Sequence, residues 1–325
     1  LADGRLLGLR ADGALLAQTS MHSSSWTQVG AVDASLFNAF GPSFLSVSPD
    51  GSRIAIGDGN LGAGASVLLL DAAALAPSSV ADATAVALAN YAAHWADNDT
   101  LYVTGAQGFA GVVSELRAST LATRVVVDSL DGASGGVVTD GAWLYTGNGF
   151  AYESAPGASQ TGEVRAFRLS DLGGVPLSFE AHGLTVADAL SAGSLAIDAL
   201  GNLVVGGSEF GGETGFFSVI DSALLADALN GAGVVPDDLE AMFDPASGGA
   251  PFGYTVLFNR ATGETIALAE GVAYRFTIPA PGGAGVLALA GALCARRRRI
   301  GTVEAHGPLP SGERSRSVDD ATRVR

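Results

Sequence analysis

The sequence predicts an all-β fold, and three observations carry that prediction. Glycine contributes 45 of the 325 residues and only 15% of residues are charged, which fits many short strands and tight turns better than a helical bundle. An apolar run, a turn rich in Asp, Asn or Gly, and a second apolar run recur along the chain. These turns return at intervals that match a repeating sheet unit.

The recurring turns indicate a β-propeller of about six four-stranded blades, with a seventh blade left open. Successive turns are 38, 48, 42, 60 and 62 residues apart, and the shorter intervals each match one blade. Asp-Gly and Asn-Asp sequences can adopt the positive φ that a tight hairpin turn requires. The alternatives are a β-sandwich, whose hairpins need not repeat at blade spacing, and several unrelated hairpins. The turns are placed at Gly13, Gly51, Asp99, Gly141, Gly201 and Gly263.

The first strand of each blade is expected to line a central channel with small side chains. FLSVS, YAAHW, GGVVT and GSLAI, which begin at residues 44, 91, 135 and 193, contribute mainly Ser, Ala, Gly and Val. This profile favours a scaffold or binding role over catalysis. Later strands alternate between apolar and polar residues, as in EVRAFRL at residues 163–169. The segment SPDGSRIAIG, within residues 45–75, resembles the surface-layer and YVTN-type propeller repeats of bacteria.

Two segments depart from the strand pattern and are predicted to be short helices between the fifth and sixth blades. Residues 221–231 place leucines at helical spacing and end in Asn-Gly, which is a natural helix stop. Residues 236–244 begin with Pro and two acidic residues, as helix starts often do. Covering a sheet edge is their expected role, and a substrate lid is the alternative.

The charge distribution argues against a nucleic-acid partner. Residues 1–278 hold 9 arginines and 29 acidic residues, a net charge of −20, whereas residues 279–325 carry +4. Such an acidic body repels phosphate backbones. The only cysteine, Cys294, allows no disulfide within one chain, which does not exclude export. The chain begins at Leu1, which leaves open a removed signal peptide or a fragment.

The C-terminal segment combines three parts that do not belong to a propeller. Pro279, Ala280 and Pro281 precede the uncharged apolar run 282–295, which is followed by Arg296, Arg297, Arg298 and Arg299. As a helix the run would span about 21 Å, less than the roughly 30 Å of bilayer hydrocarbon. The arginines are expected to stay cytoplasmic while the propeller lies outside. Residues 300–325 are polar and predicted to be disordered.

These three parts resemble a PEP-CTERM sorting signal, which exosortase enzymes recognise in bacteria. The resemblance implies export, transient membrane retention through 282–295, cleavage near the proline motif, and release to the cell surface or matrix. Two features depart from the family pattern: Ala280 replaces its usual glutamate, and 26 residues follow Arg299. A glycine-glycine tail processed by a rhomboid-type protease and a plain C-terminal anchor are the alternatives.

Few residues suggest catalysis or metal binding. His22, His94, His182 and His306 lack metal-ligand spacing, and no serine lies in a Gly-x-Ser-x-Gly motif. His94 is expected to be a hydrogen-bonded packing residue, and a general-base role for His182 lacks support. DGNLGAG and ADNDT, at residues 58–64 and 96–100, leave open a weak calcium site, although turn formation explains both segments.

The sequence therefore predicts three regions, a β-propeller at 1–278, a sorting or membrane segment at 279–299 and a tail at 300–325. The expected function is a non-enzymatic binding or structural module at the bacterial cell surface or in the extracellular matrix. Its expected partners are an exosortase-type enzyme, the membrane before processing, and a surface ligand or matrix polymer. No catalytic residue, metal ligand or cofactor is assigned. The alternative is a secreted hydrolase, similar to lactonase propellers, that uses a divalent cation near the axis.

Overall fold

A computed structural model of the chain describes eleven stretches of it. They are residues 1, 3–39, 41–60, 64–107, 110–130, 133–150, 163–188, 192–208, 215–231, 255–269 and 272–277. Within these stretches 22 strands form six sheets, accompanied by two short helices and three 3₁₀ segments. The all-β prediction is confirmed, and the fold is a β-propeller.

The first three sheets follow one another along the chain. The first sheet contains β1 (Leu7–Leu9), β2 (Ala14–Gln18) and β3 (Trp26–Ala31). The second contains β4 (Leu45–Val47), β5 (Arg53–Gly57), β6 (Ser66–Asp71) and β7 (Thr84–Ala87). The third contains β8 (Ala92–Trp95), β9 (Thr100–Gln107), β10 (Ala110–Arg117) and β11 (Ala122–Leu130).

The last three sheets complete the propeller. The fourth contains β12 (Ala133–Thr139), β13 (Trp143–Phe150), β14 (Glu163–Arg168) and, after β15 in the chain, β16 (Leu184–Asp188). The two-residue strand β15 (Leu177–Ser178) pairs in parallel with β11 and is the fifth strand of the third sheet. The fifth sheet contains β17 (Ser194–Ile197), β18 (Leu203–Ser208) and β19 (Gly215–Ile220). The sixth contains β20 (Thr255–Asn259), β21 (Glu264–Ala269) and β22 (Val272–Phe276).

Apolar side chains hold neighbouring sheets face to face, because no single sheet can bury both of its faces. Leu15 of the first sheet packs with Ile54 of the second, and Val67 of the second packs with Leu101 of the third. The third and fourth sheets share Tyr102, Val113, Val137, Leu144 and Phe167, and the fourth and fifth share Val138, Tyr145, Leu195, Leu203 and Ile220. Burying side chains of this size contributes roughly 1.5–3 kcal/mol each, so these interfaces carry much of the stability.

The structure corrects the predicted six or seven four-stranded blades. Five innermost strands each contact the next one around the channel. They are β4, β8, β12, β17 and β20, so the structure has five consecutive blades. Their sheets have three, four or five strands. The first sheet, whose innermost strand β1 has only three residues, packs on the second and also contacts the sixth. Asn259 Nδ2 donates a 2.8 Å hydrogen bond to the carbonyl oxygen of Gly4 at that second contact.

The six predicted turns join the first and second strands of the six sheets. All five turn glycines have positive φ, between +68° and +93°, which glycine adopts without steric cost. The turn at Asp99 is different, because neither Asn98 nor Asp99 has positive φ. Asp97 stabilises that turn by accepting hydrogen bonds from the backbone N–H groups of Asp99 and Thr100, both at 2.7 Å.

An Asp or Asn side chain stabilises each of these six turns in the same way. It accepts a hydrogen bond from the backbone N–H two residues later, which forms an Asx turn. The acceptors are Asp12, Asp50, Asp97, Asp140, Asp198 and Asn259. The six turns therefore share the same side-chain hydrogen bond as well as the same position between the first and second strands of their sheets.

The predicted helix at 221–231 is confirmed as α2, which spans Ser222–Leu229. Asp221 caps its start by accepting from the N–H groups of Ala223 and Leu224, and Gly231 follows its end with φ +78°. Its buried side chains join the core shared by the fourth and fifth sheets, and the helix contacts β16, the edge strand of the fourth sheet. It therefore covers a sheet edge. The other helix, α1, spans Phe179–His182.

Several sequence predictions lie outside the described residues. They are the helix at 236–244, the apolar helix at 282–295, the tail at 300–325, and the sorting motif of Pro279, Ala280, Pro281, Arg296, Arg297, Arg298 and Arg299. In the stretches that the structure describes, no helix is long and apolar enough to cross a bilayer.

Candidate functional site

A central channel of about 1470 Å³ is the candidate functional site. Its wall consists of β4, β8, β12, β17 and β20, together with the chain before and within β1. The four segments predicted to line a channel are therefore confirmed in that place. Propeller channels are frequent ligand sites because loops from every blade converge there, but the fold alone assigns no function.

Small and apolar residues make up most of the channel wall. Ala92, Gly136 and Ser194 are among the small residues that line it. Gly136 requires the absence of a side chain, because a Cβ atom there would lie 2.5 Å from the backbone nitrogen of Leu195. Phe44 and Phe258 add larger apolar surfaces. A wall of this kind can enclose the apolar part of a ligand.

His94 supplies an imidazole to the wall from β8. Its Nε2 atom is buried and has no hydrogen-bond partner among the described residues. Burial and, to a smaller extent, the positive charge of Arg260 lower the pKa of His94 to about 4. The ring is therefore neutral at pH 7. The expectation that His94 is a hydrogen-bonded packing residue is wrong for Nε2, because this buried nitrogen has no hydrogen-bond partner among the described residues.

Arg260 is the functional candidate that the sequence predictions missed. It follows β20 directly, lines the channel, and its charge acts on His94 of β8. A signal was present in the sequence. RADG at residues 10–13 and RATG at residues 260–263 occupy the same turn in the first and sixth sheets. Arg10 pairs with Asp12, whereas Arg260 has Thr262 at the matching position.

Two carboxylates at the same end of the inner strands are engaged by their own turns. Asp140 Oδ1 accepts from the N–H groups of Ala142 and Trp143, and Oδ2 accepts from the Tyr145 hydroxyl at 2.8 Å. Burial and this contact with Asp140 raise the pKa of Tyr145, so its hydroxyl remains a donor. Asp198 accepts from two backbone N–H groups and from Asn202 Nδ2. Both carboxylates therefore serve as turn formers.

His182 and Asp58, which belongs to one of the suggested calcium segments, have local structural roles. His182 Nδ1 accepts a hydrogen bond from the backbone N–H of Ser178 at the start of α1. Asp58 accepts from the N–H groups of Asn60 and Ser66 and from Asn90 Nδ2. In the described part of the chain, no three His, Cys, Asp or Glu side chains converge as a metal site would require.

Comparison with known proteins shows the fold alone. No protein-family model matches the sequence, and no curated protein matches it. A putative TolB from Agrobacterium tumefaciens is similar in structure, with a TM-score of 0.50 and 13% identity over 84% of this chain and 90% of that chain. TolB from Acinetobacter baumannii aligns with a TM-score of 0.44 and 13% identity over 68% of this chain, which corresponds to 49% of its own length. A chain of the nidogen/laminin complex aligns with a TM-score of 0.47 and 10% identity, over 69% of this chain and 73% of that chain.

Proposed function

We propose that this chain is an exported β-propeller that binds a ligand in its central channel and does not catalyse a reaction. The observation that carries the proposal is that some polar side chains of the channel wall have partners within the protein and others do not. The carboxylates of Asp140 and Asp198 are engaged by their turns, whereas Arg260 forms no ion pair among the described residues. The wall around them is small or apolar. This arrangement is suited to holding a molecule rather than to activating a nucleophile.

An activity screen of the purified full chain tests the non-catalytic role. Ester, lactone and peptide substrates are offered with added Ca²⁺ and, separately, with a chelator. We expect no turnover above the buffer rate under either condition. Turnover that depends on Ca²⁺ and is lost in Asp198→Asn, but kept in Arg10→Gln, would show that the propeller is an enzyme.

We further propose that the C-terminal segment directs sorting to the bacterial cell surface or matrix. Support comes from the order of the Pro279–Pro281 motif, the apolar run 282–295 and the Arg296–Arg299 cluster. The charge contrast adds to it, because a body of net charge −20 precedes a segment of +4. An exosortase-type enzyme is the proposed processing partner, and the membrane holds the precursor through 282–295 until cleavage.

Intact-mass measurement of the protein secreted by its bacterial host tests the sorting proposal. The mature form is expected to lack residues 282–325. Changing Arg296–Arg299 to glutamine is expected to leave an unprocessed precursor, while the same change at Arg314 and Arg316 should leave processing intact. Secreted protein that retains the arginine cluster would contradict the proposal.

A further inference from the structure

We infer that the C-terminal segment 279–299, while it is outside a membrane, folds back onto one end of the propeller. That end carries the turns at Gly141, Gly201 and Gly263, which join the first and second strands of the fourth, fifth and sixth sheets, and it is called the turn end below. The inference goes beyond the sorting proposal, because it gives the same segment a binding place on its own chain.

The chain leaves the propeller at the turn end. The strand β22 finishes at Phe276, which pairs with Thr265 beside the turn at Gly263. The uncharged apolar run 282–295 begins five residues after Thr277, the last residue that the structure describes. Five residues span at most about 18 Å. The apolar run therefore starts close to the turn end, whichever direction it then takes.

The fourth, fifth and sixth sheets turn on the same side of the propeller. Their inner strands make contact near their starts. The N–H of Gly136 donates to the carbonyl oxygen of Ala192, just before β17, at 2.8 Å, and the N–H of Val256 donates to Ser194 Oγ at 3.0 Å. The third strands run in the same direction as the inner strands, because adjacent strands are antiparallel. The connections after β14 and β19 therefore also belong to the turn end.

Large apolar side chains are exposed at the turn end. Val175, in the connection after β14, is 80% exposed, and Leu200 and Leu224 are also exposed. Leu200 belongs to the turn after β17, and Leu224 belongs to α2 after β19. These two segments are neighbours, since a Cβ atom at Gly201 would lie 3.6 Å from Ser222 Cβ. Covering such side chains with an apolar segment removes their surface from water and is favourable.

The charge of the turn end is opposite to that of the C-terminal segment. In the fourth and fifth sheets, residues 140–142, 168–176, 198–202 and 221–231 hold one arginine and five aspartates, so their net charge is 1 − 5 = −4. The segment 279–299 holds four arginines and no acidic residue, a net charge of +4. The charged residues of the turn end are Asp140, Asp171, Asp198, Asp221, Asp227 and Arg168. Opposite charges attract over distances up to the Debye length, about 8–10 Å at moderate salt. An apolar run that ends in arginines therefore matches this surface in both respects.

The covalent connection makes weak contacts sufficient. A segment tethered by a short linker has an effective concentration on the order of millimolar at a site within its reach. Docking of the run 282–295 on the propeller and its insertion into a bilayer exclude each other. The fold-back therefore keeps the run covered until a membrane takes it up.

Photocrosslinking from Cys294 tests the inference in the full chain. Cys294 is the only cysteine and lies within the apolar run, so benzophenone maleimide labels a single, informative position. The labelled protein is irradiated at low concentration in buffer without detergent, and the cross-linked peptides are identified by mass spectrometry. We expect cross-links within one chain to residues 168–176, 198–202 and 221–231.

A pair of exposed leucines tests the apolar part of the contact. Leu224→Gln is expected to lower the yield of these cross-links about threefold, because part of the apolar surface is lost. Leu268→Gln is the matched control. Leu268 is also exposed, but it pairs with Thr255 at the start of β20 and so lies away from the turn end. Its substitution is expected to leave the yield unchanged.

Replacing the arginine cluster tests the electrostatic part. Changing Arg296–Arg299 to glutamine is expected to lower the yield about tenfold, because exposed charge pairs are individually weak but act together here. The same change at Arg314 and Arg316 is the control and is expected to have little effect. These substitutions lie outside the propeller, and thermal melting confirms that each variant is folded.

Four results would overturn the inference. Cross-links only between two chains would assign the run to a second copy, and cross-links that reach the turn end only after vesicles are added would assign that end to lipid contact. Cross-links scattered over the propeller, or equal yields in all variants, would show that the run has no specific place on it. The sorting proposal is tested separately, by the mass of the secreted protein, so the two can fail independently.

Discussion

His22 Nε2 lies 3.0 Å from Glu264 Oε2, although 242 residues separate them in the chain. His22 belongs to the loop between β2 and β3 of the first sheet, and Glu264 opens β21 of the sixth. Arg275 of β22 also contacts Glu264 Oε2 at 3.0 Å. Together with the bond from Asn259 to Gly4, these contacts join the first and last sheets.

Glu264→Gln is expected to weaken the contact between the first and sixth sheets. The change removes the charge that holds Arg275, whose side chain is only 17% exposed, and leaves that guanidinium without its carboxylate. We expect the free energy of unfolding to fall by about 1–2 kcal/mol, more than for an exposed pair. Urea unfolding measures the loss, and Glu180→Gln, at an exposed position, is the control. Equal stability of the two variants would show that these contacts between the first and sixth sheets do not stabilise the fold.

Gly136→Ala is expected to separate the fourth and fifth sheets. A Cβ atom at residue 136 would lie 2.5 Å from the backbone nitrogen of Leu195 and 2.7 Å from the carbonyl carbon of Ser194. Backbone atoms cannot rotate away as a side chain can, so we expect a loss of about 1–3 kcal/mol. Thermal melting measures it. Gly173→Ala, where a Cβ atom meets nothing within 4 Å, should be close to neutral. A Gly136→Ala variant as stable as that control contradicts the packing described above.

Asp198→Ala is expected to destabilise the turn between β17 and β18. The change leaves the N–H groups of Leu200 and Asn202 and the buried side-chain amide of Asn202 without their acceptor. Unsatisfied groups of this kind cost about 1–3 kcal/mol in total stability. Asp82→Ala, at an exposed position with no comparable contact, should change the unfolding midpoint little. Matching midpoints for the two variants would argue against the structural role assigned to the Asx turns.

The histidine in the channel wall predicts a specific dependence of stability on pH. The pKa of His94 is lowered to about 4 in the folded chain. In the unfolded chain the imidazole binds a proton near pH 6.5, whereas in the folded chain it stays neutral until the pH approaches 4. Stability is therefore highest above pH 6.5 and falls as the pH drops toward 4. Between pH 7 and pH 5 this single group should cost about 2 kcal/mol.

His94→Gln is expected to remove that part of the pH dependence. Urea unfolding at pH 7 and pH 5 measures the difference for the variant and the unmodified chain. Arg260→Gln removes the smaller cause of the lowered pKa, so its effect should have the same direction and be smaller. The interpretation fails if His94→Gln loses as much stability on acidification as the unmodified chain does.

The sequence was most informative about turns and inner strands. Gly13, Gly51, Gly141, Gly201 and Gly263 were placed correctly because a tight turn demands a backbone conformation that few residues adopt. The helix at 221–231 was also recognisable, since both its cap and its stop are local signals. Such signals involve only neighbouring residues, so a single sequence is enough to recognise them.

Blade number and the channel groups depended on contacts between distant residues. The fourth strand of the second sheet, Thr84–Ala87, has only four residues, which is too short for a clear alternating pattern. The strand β15 has two residues and pairs with β11, although the strands of the fourth sheet lie between them in the chain. The sequence predicted a packing role for His94, because its neighbours in the chain are apolar. Only the structure brings Arg260, more than 160 residues later, close enough to act on it.

A crystal structure of the protein purified from its bacterial host tests the binding account most directly. We expect electron density for a bound molecule inside the central channel. A channel that contains only water, with the bound molecule elsewhere on the propeller, would contradict the account.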